Sequence, residues 1–591
     1  MKRRLVALLC TAAMVTGALS GCTGSGSQQP ATGAKSTSGE TDPGNGSGST
    51  DPSADMGDEV SLEFFDVAAN YQGDQIGWFA KVLKDNVNVK INIIAPQVAG
   101  DEVYQTRASG GNLGDVLILE KTQWQDCVAN GLVKDVTADL YKYPNLAAYQ
   151  DQIDTLNQSL DGNDGKLYGI PTEMMNTSPT SYSQNVIYSM PQMRWDLYKG
   201  LGCPEIKDLD GMLDVLEEMQ AKYPTNDAGD PCYAFSLWPD WDGGDGMLGI
   251  ANIVQLMTWY NEKPKGSMIL EPDGSMIPLT DKNGGYYKFA KFLNNAYHRG
   301  LVDPDSGTQD WNSACAKMSA GQVYLFWYSW QQGFWNSADR MAGGQGMTFI
   351  PVQDQSYFAD ADSYYGSGRV WAIGSQVDDA KYQRILQLLD YLASPEGLVY
   401  QHAGIEGFNY EKLADGKYKQ LNSNALMDNL PVPEEWGGGG YSDGNNAINQ
   451  WLVASISVNP NTGEPYTSQY WQSYLDETNV GTRKEWSEQF GATDAVDWMK
   501  QHDALKISPN VSVSLVSDDN DISIIRNQCS EKVNDYSWRL IFAKDDADFE
   551  SIWDDMTAQL DGLGFQELNK FDVEKFAPEL EAKKAAAAEA E

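Results

Sequence analysis

Between Glu59 and Leu140 the chain alternates short apolar runs with helix-patterned stretches, and no other feature narrows its possible folds as much. "EVSLEFFDVAANY" carries Val60, Leu62, Phe64 and Phe65 in a strand-like run that ends in a polar loop. A helical pattern over Ile76 to Leu83 comes next, and "NVKINIIAP" supplies a second strand. "LGDVLILE" is apolar at every position from Val116 to Leu119, the mark of a parallel strand covered on both faces. "WQDCVANGLVKDVTADL" reads as a helix that turns at Asn130-Gly131. Strands and helices in strict alternation predict a doubly wound α/β unit, in which ligands bind beyond the carboxyl ends of the strands. Those ends are Asp66 to Tyr71 and Glu120 to Trp124, which makes Asp66, Tyr71, Glu120 and Trp124 candidate ligand contacts.

The extreme N-terminus has a different character. Lys2, Arg3 and Arg4 precede an apolar run from Leu5 to Leu19, shorter than the ~20 residues of a spanning helix, so residues 1–21 read as a secretory signal. Leu19-Ser20-Gly21-Cys22 resembles the bacterial lipobox, which makes Cys22 the expected lipidated N-terminus and membrane anchor. Residues 22–58 are Gly, Ser, Thr, Pro, Asp and Gln with almost nothing apolar, a composition that cannot bury a core and suits a flexible tether. No later stretch is long and apolar enough to span a bilayer.

Composition removes several classes of function. A formal net charge of −41 repels phosphate backbones, so nucleic acid is not expected as a partner. Five cysteines remain beyond Cys22, an odd number without a C-x-x-C pair, and they outline neither a disulfide framework nor a zinc site. Cys203 and Cys232 are the pair that an oxidising space would most readily bridge, by proximity in sequence. The only histidines are His298, His402 and His502, far apart, which supplies neither a Ser-His-Asp triad nor a transition-metal site. "DGNDGK", Asp161 to Lys166, lacks the alternating ligands and closing Glu of a calcium loop and reads as a turn. No cofactor is expected.

Further along, "GDVLIL", "GLVKDVT", "GKLYGIPTEM", "MRWDLYKGLG", "AGQVYLFWYSW" and "LASPEGLVYQ" occur in that order. The ordered set resembles the extracellular solute-binding lipoproteins of carbohydrate ABC transporters, the class that includes maltose-binding protein, over Val60 to about Tyr410. "GIEGFNYE", Gly404 to Glu411, is similar to an element of the larger Gram-positive members. The resemblance implies a two-lobe α/β fold of the periplasmic-binding-protein type, with a hinge, an interlobe cleft that holds sugar, delivery to a membrane permease, and a monomer. The first crossing is placed near Tyr168 to Met174 and the return near Tyr364 to Ser375. Lobe one is then 59–172 with 368–410, and lobe two is 173–367 with 411–591.

A sugar presents apolar C–H faces and a rim of hydroxyls, so its cleft calls for aromatic platforms beside carboxylates, amides or arginine. "LWPDWDGGDG" offers Trp238, Asp240, Trp241 and Asp242 in a Pro/Gly loop, a setting that does not suit a core. "VYLFWYSWQQGFW" holds Trp327, Tyr328, Trp330 and Trp335. Alternate aromatics of that strand must face the core, whereas Trp330 lies just beyond its end and matches the family's sugar-stacking tryptophan. "YYGSGRVW" brings Tyr365 and Arg369 to the proposed return crossing, and Glu173 in "GIPTEM" falls where the family's hinge strand offers an acid. Arg194 and Asp196 read as a structural pair. Two rivals use similar residues: a secreted glycoside hydrolase, which needs two carboxylates ~5 to 9 Å apart, and a peptide- or metal-binding lipoprotein. The absence of a (β/α)₈ repeat counts against the first, and three histidines with tryptophan-rich loops count against the second.

Overall fold

The computed structural model describes residues 57–590 apart from 101, 161, 164, 245–247 and 422–429. The signal segment, Cys22 and the tether up to residue 56 lie outside the described residues.

The early strands form as their patterns predict. Val60–Asp66, Val89–Ile94 and Val116–Glu120 run parallel in one six-stranded sheet, with Val60–Asp66 between the other two. The sheet order is Gly73–Asp74, Val89–Ile94, Val60–Asp66, Val116–Glu120, Arg369–Ile373, Ile170–Pro171, and Arg369–Ile373 is antiparallel to Val116–Glu120. Both faces are covered. Phe64, Val116, Ile118, Trp371 and Ile373 point into one core, and Phe65, Leu117, Leu119, Val370 and Ala372 into another. A strand whose side chains alternate between two dry faces has no polar position to offer, which explains the unbroken "VLIL". Helix Gly77–Val87 closes one face with Trp78, Phe79, Val82, Leu83 and Val87.

A second core gathers residues from Tyr182 to Ala359 and from Trp486 to Leu568. Its central strand, Ser189–Arg194, pairs antiparallel with Leu325–Tyr328 on one side and Met347–Phe349 on the other. Arg194 does pair within this body: Nε and Nη2 donate to the two Asp196 carboxylate oxygens at 2.8 and 2.6 Å. Long helices Asn520–Ile541 and Asp546–Gly562 pack back onto Gly285–His298, where the Tyr286 hydroxyl meets Ser537 Oγ at 2.7 Å.

The C-terminal third divides between the two cores, which corrects the expectation that all of 411–591 joins the second lobe. Tyr418, Val432, Tyr441, Ile448, Leu452, Val453, Tyr466 and Trp471 are buried with the first sheet. Trp78 stacks on Tyr441 at 5.1 Å and 16°, and its indole N–H donates to the Tyr441 carbonyl at 3.0 Å. Gly77 makes that seating possible, because a Cβ there would stand 2.3 Å from Gly444 Cα. Nothing in the sequence pattern separates this segment from the helices after it, since both are aromatic-rich. The chain therefore leaves the first core after Met174, returns before Val370 and leaves again after Trp471. Cys203 and Cys232 are free thiols, as are Cys127, Cys315 and Cys529, so no bridge joins the pair proposed from sequence.

Candidate functional site

Two groups of candidate residues assemble, one on each core, at the sheet ends from which the crossing segments depart. On the first sheet, Arg369 opens its strand directly opposite Glu120, the last residue of the neighbouring strand. Arg369 Nε donates to Glu120 Oε1 at 2.7 Å. Glu120 also begins helix Lys121–Ala129 through a reciprocal cap with Gln123. Asp66 ends the central strand, fully buried; Oδ1 accepts from the Ala68 N–H at 2.8 Å, and Oδ2 has no protein partner. Burial pushes the Asp66 carboxyl up to about 8, against the pull of the Ala68 N–H and of Arg369. At neutral pH Asp66 is therefore a protonated, donor-bearing group aimed from a strand end.

Glu173 lies on the first crossing with φ +55°, a left-handed conformation that costs a non-glycine residue about 1 kcal/mol or more. Its backbone is held there: the N–H donates to the Trp451 carbonyl at 2.8 Å, and the carbonyl accepts from Ser363 Oγ at 2.7 Å. Burial raises its carboxyl, while Ser367 and Arg369 draw it down. Three carboxyl groups thus lie in the field of one guanidinium. Tyr365 lies on the return crossing, its N–H donating to Asn510 Oδ1 at 2.8 Å, its ring edge-on to Tyr364 at 4.8 Å and its hydroxyl turned toward Thr155 and Asp151, apart from the charged group.

The second group is aromatic. Strand Leu325–Tyr328 ends where buried Gln331 folds back, its Oε1 accepting from the N–H groups of Trp327 and Tyr328 at 2.8 and 3.1 Å. That hydrogen-bonded turn forces Ser329 and Trp330 out of the sheet. Trp330 stacks on Tyr328 at 5.5 Å and 24°, and Trp241 reaches both rings at 5.9 and 5.8 Å. Trp311 completes the group, 4.4 Å from Trp241 and 5.7 Å from Trp330. Trp241, Trp311, Trp330 and Phe334 are half-buried and so retain free ring area. Tyr188, the residue just before the Ser189–Arg194 strand, meets Tyr328 edge-on at 5.1 Å, which puts the cluster at the hinge end of that sheet.

Several residues chosen from sequence do other work. Trp124 is fully buried in the first body and donates its indole N–H to the Tyr168 carbonyl at 3.2 Å; the strand end precedes a helix whose inner face it occupies. Trp238 is also fully buried, backing the aromatic group 4.7 Å from Trp311 instead of facing solvent. Asp242 is committed at both oxygens, Oδ1 to the Ala251 N–H at 3.0 Å and Oδ2 to the Trp538 indole at 2.8 Å, and burial raises it to about 7. It fastens the tryptophan loop. Asp240 accepts from the Trp311 N–H at 2.8 Å and positions that ring. Tyr71 is exposed, with its hydroxyl donating to the Asp74 carbonyl at 2.9 Å, apart from the charged group. Trp311 was missed; a tryptophan in the polar run "TQDWNS" was its only signal.

Solved structures share this architecture. The Streptococcus pneumoniae ABC-transporter substrate-binding protein FusA, in complex with kestose, is 16% identical over 88% of this chain and 99% of its own, with a TM-score of 0.55. An HMO-binding, ABC-transporter-associated solute-binding protein from Bifidobacterium longum infantis is 14% identical over 89% of this chain and 100% of its own, at 0.58. The alginate-binding protein AlgQ2 is 14% identical over 88% and 98%, at 0.53. Identities this low establish the two-lobe fold and nothing finer. No curated protein sequence matches the chain. A family model for bacterial extracellular solute-binding proteins matches residues 77–410, more than half of the chain. The chain belongs to the bacterial extracellular solute-binding proteins.

Proposed function

We propose that the protein captures a sugar or oligosaccharide between its two bodies and hands it intact to an ABC-transporter permease, as a monomer tethered to the outer face of the cell membrane through lipid on Cys22. The observation that carries the reading is the division of labour at the hinge. Half-buried Trp241, Trp311 and Trp330 offer wide apolar faces for pyranose C–H groups. Asp66, Glu120, Glu173 and Arg369 offer donors and acceptors for a hydroxyl rim. The sugars and sugar polymers named for FusA, the Bifidobacterium protein and AlgQ2 support the same ligand class. Binding without turnover fits a site in which Glu120 is held by Arg369.

A thermal-shift screen against mono- and oligosaccharides tests the reading. A ligand at 100 times its Kd adds about 2.7 kcal/mol to the native state and raises Tm. Absence of any shift across neutral and acidic glycans, with a shift on adding peptides, would assign the cleft to the rival class. The best ligand is expected to return from incubation uncleaved. Cys22→Ala is expected to release the protein from the membrane fraction.

A further inference from the structure

Among the described residues, six that are not glycine hold a positive φ: Asn88, Glu173, Cys203, Asn261, Asn449 and Asp503. Four of them stand just past the helices Gly77–Val87, Trp195–Gly200, Ala251–Thr258 and Ala495–Gln501, where a left-handed residue is the ordinary way to stop a helix. Glu173 and Asn449 end no helix, and the backbone brings their segments together at the first crossing. The Glu173 N–H donates to the Trp451 carbonyl at 2.8 Å, the Met174 N–H to Leu452 at 2.9 Å, and the Ala454 N–H back to Met174 at 3.0 Å. Two residues before Trp451, Asn449 reaches the central strand's end: its Nδ2 donates to the carbonyl of Ala68, two residues beyond Asp66, at 3.4 Å. Left-handed backbone away from helix ends persists only where the surroundings enforce it, and it gathers at ligand sites.

The Asn449 side chain is half-buried. Its contact with Ala68 is longer than the ~2.7–3.2 Å of a firm N–H···O bond, so the amide is held weakly. Oδ1 accepts from no described residue, and unlike Oε1 of neighbouring Gln450 it is not sealed from solvent. We infer, on the reading that the cleft captures sugar, that Asn449 is a specificity-determining ligand contact whose Oδ1 accepts a hydrogen bond from a sugar hydroxyl. Asp66, Glu120, Glu173 and Arg369 come from the first sheet and its crossings, whereas Asn449 comes from the segment that returns to the first core, which thus shapes the cleft as well as covering the sheet. An amide suits the place, because it reads a hydroxyl without adding charge to a group that already holds three carboxyls. A ligand without that hydroxyl would leave the acceptor unpaired and be rejected.

Calorimetric titration of the full chain with glucose, kestose, maltotriose and N-acetyllactosamine, beside thermal melts, tests the inference. Asn449→Gly keeps the positive φ without steric cost and removes the amide. It is expected to weaken the tightest-binding of the four sugars about tenfold, the worth of one hydrogen bond, with Tm little changed. Asn449→Asp keeps an acceptor and is expected to retain most of the affinity, which also decides the matter if the glycine variant melts early. Unchanged affinity in Asn449→Gly would reduce Asn449 to a turn-former and overturn the inference. So would an aspartate variant as weak as the glycine one, since the acceptor would then not be what the ligand uses. Trp330→Ala separates this inference from sugar capture itself: if it weakens the same sugar and Asn449→Gly does not, Asn449 is no contact and the hinge reading stands. If none of the four sugars binds the wild-type chain, the inference fails, while the wider glycan screen still decides sugar capture.

Discussion

The two candidate groups, one on each core, are built from opposite materials. The first-sheet group is polar and rigid: Glu120 and Arg369 are fixed by strand register, Asp66 by its strand end and Glu173 by two backbone hydrogen bonds. The second group is apolar and layered, with Trp238 buried behind half-buried Trp311 and Trp241, and half-buried Trp330 stacked on Tyr328. Charge close to charge needs short-range geometry, which a sheet edge provides. Stacking needs area, which a cluster of large rings on loops provides. The lesson is that a buried ring and a half-buried ring of one cluster have different jobs, and substitution separates them.

The largest expected effect falls on the layer behind the platform. Trp238→Ala empties a fully buried site and is expected to cost about 3–5 kcal/mol of stability, read as a fall in urea midpoint at unchanged m-value. If stability holds and only sugar affinity drops, Trp238 belongs to the platform and the layered description fails. Trp330→Ala is the mirror experiment. It is expected to weaken sugar binding by ~2 kcal/mol, about thirtyfold by calorimetry, with Tm nearly unmoved.

On the polar side, Arg369→Ala removes the cation that pairs with Glu120 and lies near Glu173. A fully buried pair would lose ~3–5 kcal/mol when broken; because the Glu120 side chain is 37% exposed, about 2 kcal/mol is the expected loss of stability. An unchanged melting temperature would mean that solvent already screens the cluster.

Asp66 gives a pH test with a definite sign. Its folded-state pKa of about 8 lies above the ordinary 3.8, so between roughly pH 4 and 8 the native state holds a proton that the unfolded chain has lost. Its contribution is present at low pH and is lost as pH rises through 8, with a slope of up to ~1.4 kcal/mol per unit. Asp66→Asn keeps the shape and a donor, and is expected to flatten that part of the stability profile. The smallest effect is expected at Asp240→Ala, which leaves the Trp311 N–H without its acceptor and should cost ~1 kcal/mol with a few-fold loss of affinity. No change in either would detach Asp240 from the platform.

Much of the polar group was legible because it is set by local rules. A dry parallel strand capped by a polar residue places Asp66 and Glu120 at carboxyl ends, and "GSGRVW" reads as a loop entering a strand, with Arg369 at its mouth. Trp330 was legible for the same reason, since a strand that ends at Tyr328 must present the next side chains outside the sheet. The aromatic group was read less well. "LWPDWDGGDG" shows two tryptophans in one loop, but which of them faces inward depends on Trp311, two helices and three strands further along, and on Asp242 reaching Trp538. Trp124 misled because a residue near a strand end also starts a helix, and the helix face decided its direction.

The sequence by itself determined the alternating sheet, the positions of its strand ends and the chemical types available there, because hydrophobic periodicity and turn residues act over a few positions. Only the tertiary structure decided that Tyr418 and the stretch from Val432 to Trp471 return to the first core, that Glu173 is held at positive φ by Trp451, and that Trp238 is buried while Trp241 is half-buried. Those outcomes depend on contacts across tens to hundreds of residues, where burial of one aromatic surface against another outweighs any local preference.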